Sequence, residues 1–244
     1  MGATEKIARF IVDSGYENIS RDAVEKAKHT ALDCLGAALA GVAEPVSQTI
    51  TGYVTKLGGP PQASVFGAGL KVSVQDAALV NGVVAHALDY DDCGVKIGHP
   101  SVLILPAVLS LGEYWCASGR DILIAYIVGL EVEGKLALHA DFKLMQARLN
   151  HQTWYGSIGA AAACAKLLKL DVSKTRMALG IAANFACGLS ANHGSTKRES
   201  RPTPTSSRRR TVFTTHWSAQ ATTTQSAWQT VWANPSTSSL RALD

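Results

Sequence analysis

The chain is poor in paired cysteines, long apolar runs, aromatics and excess charge. Its five cysteines (Cys34, Cys93, Cys116, Cys164 and Cys187) are scattered, odd in number and never in a CxxC spacing. That argues against a zinc ribbon or a disulfide framework and for a reducing, cytoplasmic setting. No apolar run reaches the roughly 18–20 residues that a bilayer span needs. The first ten residues carry Glu5 and Lys6 where a secretory signal would have a long apolar stretch, so no membrane partner is expected. Basic excess is also missing from most of the chain. Residues 1–194 hold 16 Lys/Arg against 17 Asp/Glu, a net of −1, whereas residues 195–244 hold seven against two. The formal +4 of the whole chain therefore belongs to the C-terminal segment, and a nucleic-acid partner is not expected.

What is present is apolar residue in helical rhythm. Of the 244 residues, 47% are hydrophobic, enough for a sizeable core. Val24, Ala27, Ala31, Leu35, Ala38 and Leu39 recur at helical spacing behind a capping Ser20 and predict a helix to about Gly41. Further helices are predicted over about 4–15, 46–57 (stopped by Gly58-Gly59-Pro60-Pro61), 73–87 behind Ser73, 101–117, 122–139, 153–168 and 173–189 behind Ser173. Residues 63–69 read as a small strand or an irregular loop. Seven or eight helices without a convincing sheet predict an all-α fold, a multi-helix bundle. Composition changes abruptly near Ser195: 20 of the last 50 residues are Ser or Thr, with an Arg208-Arg209-Arg210 run. The expected organisation is a helical domain over 1–195 and a disordered or aberrant tail over 196–244.

The densest polar constellation lies between two apolar helices: His86-Ala-Leu-Asp89-Tyr90-Asp91-Asp92, then Cys93, then His99-Pro100-Ser101. Helical spacing would put His86, Asp89 and Asp92 on one face, with Asp91 pointing elsewhere. His99 would open the next helix, whose free N–H groups favour anions. Carboxylates and imidazoles supply bases and acids, so the loop suits proton transfer on an anionic substrate. Each residue alone also has a plain structural reading: a core histidine for His86, a helix cap for His151, a solvated charge for Lys197. Asp89-Tyr90-Asp91-Asp92 fits the DxDD string of class II terpene cyclases as well, but only 7% of the chain is aromatic, too little to line a carbocation cavity. A divalent-metal site on these carboxylates and histidines is a further alternative. The preferred reading needs neither metal nor cofactor.

Asn81-Gly82, His86 to Asp92, His99-Pro100-Ser101 and Leu105-Pro106-Ala107 together resemble the signature of the MmgE/PrpD family. The resemblance extends from the N-terminus to about Lys197 through Asp33-Cys34-Leu35-Gly36, Gly129-Leu-Glu-Val, Gly159-Ala-Ala-Ala and Gly188-Leu-Ser-Ala-Asn. It implies a cofactor-independent lyase or isomerase acting on small di- or tricarboxylates such as 2-methylcitrate or cis-aconitate. It also implies a homodimer of helical domains, each with a smaller α/β lid. Asp89, His99 and His151 match the family's catalytic positions, and Cys93 and Lys197 match substrate-binding ones. Cys93 stands where decarboxylase members carry threonine, and a thiol is the poorer hydrogen-bond donor. The family's usual Thr-Lys-Pro-x-His-Ala-Gly run is replaced by Thr196-Lys197-Arg198-Glu199-Ser200-Arg201-Pro202. The expectation is a chain that ends before the lid, with an out-of-frame terminus from about Lys197. The competing expectation is a non-catalytic helical remnant that only self-associates.

Overall fold

A computed structural model describes residues 2–94, 96–140, 150–186 and 188, and of His151 the backbone alone. Eight α-helices run through the described residues: α1 (Ala3–Asp13), α2 (Arg21–Gly41), α3 (Pro45–Leu57), α4 (Val74–His86), α5 (Pro100–Tyr114), α6 (Gly119–His139), α7 (His151–Leu167) and α8 (Val172–Phe185). The fold is all-α, as the helical periodicities predict. Its one sheet among the described residues is a two-stranded antiparallel ribbon, β1 (Ala63–Ser64) and β2 (Lys71–Val72), with Ala63 opposite Val72.

Helix α4 is apolar on nearly every side, with ten of its residues from Val74 to Ala85 buried. A helix of that kind must be wrapped by others, and α2, α3 and α5 pack against it. Together with α6 and α7 they form the larger core, around Val80, Val83, Val84, Ile104, Val108 and Leu111. Asn81, buried in α4, holds the ribbon to the bundle: its Oδ1 accepts from Phe66 N and its Nδ2 donates to Ser64 O. A second core joins α1, α6, α7 and α8 around Ile11, Ile124, Val128 and Leu179.

The most extensive helix contact is α6 on α7. It depends on two glycines that face each other. A Cβ on Gly129 would lie 2.9 Å from Gly159 O, and one on Gly159 would lie 3.1 Å from Gly129 O. The backbones therefore touch where side chains would hold them apart.

Two of the three predicted Ser caps hold. Ser20 and Ser73 accept from Ala23 N and Asp76 N. At α8 the cap is Asp171 and not Ser173: Asp171 Oδ1 accepts from Lys174 N at 2.8 Å. Helix α5 stops at Tyr114, short of the predicted Ala117, because Cys116 turns to a left-handed φ of 51°. The expected tail at 196–244 lies outside the described residues. No helix among the described residues is long and apolar enough to cross a membrane.

Candidate active site

Helix α4 ends on His86. Ala87 N and Asp89 N close tight turns on Val84 O and His86 O, and Asp89 takes a left-handed φ of 57°. That conformation is uncommon for a side-chain-bearing residue, though Asp tolerates it better than most. The turn brings the loop back under the helix end. His86 Nδ1 lies 2.9 Å from Asp91 Oδ1, and His99 Nδ1 lies 3.3 Å from the same atom. On the other edge of the rings, His99 Nε2 is 3.0 Å from Asp89 Oδ1 and His86 Nε2 is 3.8 Å from it. The two imidazoles meet edge to face at 4.8 Å. Each thus stands between two carboxylates, Asp91 through Nδ1 and Asp89 through Nε2.

The helical-face reading of this loop needs correction. Because α4 stops at His86, Asp91 is the residue that turns inward, 4% exposed. Asp92 turns away to accept from Ser101 N at 3.3 Å. At the start of α5 the helix amides meet a carboxyl group of the protein itself. Pro100 has no N–H, and the Ser101 N–H is already donated to Asp92.

The electrostatics follow from burial and pairing. Burial pushes the Asp91 carboxyl up, but its hydrogen bonds from His86 and His99 outweigh that and leave it below the usual carboxylate range. His99 is raised by its hydrogen bond to Asp91. Asp92 is raised by burial, against the donors of Ser101. Beyond Asp92 a polar chain enters the bundle: Ser101 Oγ bonds Tyr126 Oη, which bonds Thr30 Oγ1 at 3.0 Å. Glu133 of α6 is fully buried, and neither of its carboxyl oxygens has a hydrogen-bond partner among the described residues. Burial, then the charge of Asp92, push its pKa well up.

His86, Asp91 and His99 are the described residues that could hold a metal, their ligand atoms all lying within 4.8 Å of one another. The donor set would suit a borderline cation. Asp91 Oδ1 already sits at hydrogen-bond distance from both Nδ1 atoms, whereas its buried Oδ2 has no hydrogen-bond partner among the described residues.

Of the expected site residues, Asp89 and His99 are brought into direct contact. The Cys93 thiol is exposed on the same loop. The His151 side chain and Lys197 lie outside what is described, but the His151 backbone is placed. It begins α7, and the next residue, Gln152, packs on Gly98, immediately before His99. A Cβ on Gly98, whose φ is 79°, would fall 2.0 Å from Gln152 Nε2. Asn150 N also donates to Gly188 O at 2.9 Å, which holds the chain after α8 against the start of α7. Asp91 is part of the polar constellation in the sequence, but helical spacing through the loop points it away from the site. Glu133 is not singled out from the sequence. Glu133 carried a legible signal, since Gly129 and Ala137 at four residues to either side mark that face of α6 as closely packed.

A profile of the MmgE/PrpD N-terminal domain matches residues 5–228. The chain belongs to the MmgE/PrpD family. It is 32% identical over 195 residues to a cis-aconitate decarboxylase of Mus musculus and, at the same identity and length, to one of Homo sapiens. It is 30% identical over 203 residues to a cis-aconitate decarboxylase of Aspergillus terreus. These alignments take in 78–79% of this chain but only 40–41% of each relative. The chain thus spans well under half the length of the MmgE/PrpD relatives it matches.

Proposed function

We propose that this MmgE/PrpD chain is a cytoplasmic, cofactor-independent lyase, a dehydratase or decarboxylase of small di- or tricarboxylates such as cis-aconitate or 2-methylcitrate. The observation that carries the reading is the Asp89–His99 contact of 3.0 Å, with the buried Asp91 behind it. Asp91 holds His99 by Nδ1, which fixes the ring and favours its protonated form. Nε2 then faces Asp89, so one proton is shared between an imidazole and a partly exposed carboxylate. In a dehydration that pair can give a proton to the leaving hydroxyl while a base takes the C–H proton; in a decarboxylation it can give a proton to the carbon that loses carbon dioxide and is then reprotonated from solvent. His151 would act as acid or base near the reacting carbon. Cys93 and Lys197 would bind substrate carboxylates. These last roles rest on the match to the family's motif positions.

The test is turnover of cis-aconitate and of 2-methylcitrate by the full chain, followed as itaconate formation with carbon dioxide release and as loss of water. Asp89→Ala and His99→Ala should each lower kcat by about 10²-fold or more, the usual scale for a lost acid or base. Wild-type turnover in both variants would reject the assignment.

A second reading, a helical unit that only self-associates, is favoured by the apolar residues left on the outside. Leu32 and Leu39 of α2 are 70% and 67% exposed, seven residues apart on one helix face with Gly36 between them. Light scattering on the Leu32→Lys/Leu39→Lys double variant separates the two. If these residues mediate a homodimer, the variant is monomeric, and turnover in the parent chain decides whether the dimer is an enzyme.

A further inference from the structure

Away from the histidine cluster, the C-terminal end of α1, the start of α6 and the end of α7 enclose a cavity of about 400 Å³. That is within the range of small-molecule sites. It shares no lining residue with the candidate active site. Along α6, Arg120 at the cavity and Glu133 at the site are 13 residues apart, about 20 Å of helix axis.

The cavity has two chemically distinct parts. Ile11, Ile124, Ala165 and Leu170 give it an apolar floor, and Tyr16 an aromatic side. Three cations line it, Arg120, Lys166 and Lys169, against one carboxylate, Asp121. Lys166 is held by a neutral partner, whereas Arg120 and Lys169 each face an exposed carboxylate. Lys166 Nζ donates to the backbone carbonyl of Val12 at 2.9 Å, with no carboxylate at ion-pair distance among the described residues. Burial pushes its pKa down. Arg120 lies 4.6 Å over the Tyr16 ring and pairs with the exposed Glu17. Lys169 reaches Asp121 only at 3.8 Å.

The backbone adds an independent observation. Lys169 closes α7 with a φ of 53°, its N–H on Lys166 O and the next N–H on Ala165 O. That is the position where helices usually place glycine. A lysine there costs about 1 kcal/mol of backbone strain while setting a third cation at the cavity mouth. Strain kept at a concave, charged surface points to use.

We propose that this cavity binds an organic anion: an apolar body seated on Ile11, Ile124 and Leu170, with its carboxylate or phosphate at Arg120, Lys166 and Lys169. Binding would give the half-buried Lys166 a counter-charge at ion-pair distance, beside the more distant carboxylate of Asp13 that already acts on it. Because the site is remote from Asp89 and His99, it can be filled while the active site is empty.

Calorimetric titration of the full chain with phenyl phosphate tests this. One saturable site is expected, weakened about tenfold by Lys166→Met and about threefold by Lys169→Gly, the difference following their burial. Glycine suits the left-handed position, so Lys169→Gly should fold at least as well as the parent, and its loss of binding cannot be attributed to misfolding. His99→Asn should bind as the parent does. Inorganic phosphate, lacking the apolar body, should bind more weakly than the ester. The proposal is overturned by absence of saturation, by a Lys169→Gly affinity equal to the parent's, or by binding that is lost in His99→Asn. Equal affinity for inorganic phosphate and the ester would overturn the apolar part of the assignment.

Discussion

Glu133 has no exposed surface and no donor for either oxygen among the described residues. It is therefore carried as the neutral acid, its pKa held well above the ordinary 4.5 by burial. Between about pH 4.5 and its folded pKa, the folded state binds a proton that the unfolded state has released. Stability must therefore fall as pH rises through that window. Glu133→Gln keeps the shape and removes the titration. Its stability relative to the parent should rise between pH 5 and pH 8, read as urea midpoints at the two pH values; a constant difference would show that Glu133 does not titrate. Asp91 works in the opposite sense. Asp91→Asn removes the anion that raises His99, so the His99 NMR titration should move to lower pH. The loss of a buried ionic partner should also cost about 3 kcal/mol. The stability that His99 gains from Asp91 is lost as pH rises through the folded His99 pKa, and the stability of the lowered Asp91 carboxylate is lost as pH falls through its own, so the deficit should be largest in the mildly acidic window between them. The sequence exposed the ingredients of this site more readily than its geometry. His86, Asp89 and His99 stand out as polar residues between apolar helices. Which carboxylate turns inward depends on where α4 stops, and a left-handed residue at Asp89 leaves no periodic trace.

At the scale of elements, the helices were legible because their apolar residues repeat at the period of the backbone and because Ser20 and Ser73 cap two of them. Helix ends were less so. Asp171 and Ser173 are both good caps, and only tertiary packing selects between them. The Gly129–Gly159 contact is a close helix approach in the Gly/Ala-rich middle of α7. It yields a paired prediction from one kind of substitution. Gly129→Ala would place a methyl group 2.9 Å from both Ala163 Cβ and Gly159 O, so it should destabilise the bundle by about 1–3 kcal/mol. Gly36→Ala, in α2 with nothing within 4 Å of its Cβ position, should instead stabilise by about 0.5–1 kcal/mol from helix propensity alone. Denaturant midpoints at a constant slope check both. Like signs for the two variants would mean that the α6–α7 crossing is not the close-packed one described.

For the whole molecule, the question is whether a body that spans 40–41% of its relatives holds a site competent to bind. The four groups of the Asp89–Asp91–His86–His99 cluster are all supplied within one stretch, from the end of α4 to the head of α5. Their positions are fixed by the core that buries α4, not by distant chain. The Gly98–Gln152 contact and the Asn150–Gly188 bond bring the start of α7 and the end of the bundle to the same place. A preformed site should therefore bind a substrate-like anion even if catalysis needs more of the protein to exclude water. Any ligand that binds only the folded state raises its stability, by about 2.7 kcal/mol at a hundredfold excess over Kd. For a domain of this size each kcal/mol is worth about 2–4 °C in Tm. Cis-aconitate at about 10 mM, above the usual range of KM, should thus raise Tm by about 5–10 °C in the parent chain. Asp89→Asn and His99→Ala should show little or no shift at the same concentration. A stable parent chain with no shift would mean that the cluster at the end of α4 is a structural polar network, and would favour the self-associating reading over the lyase.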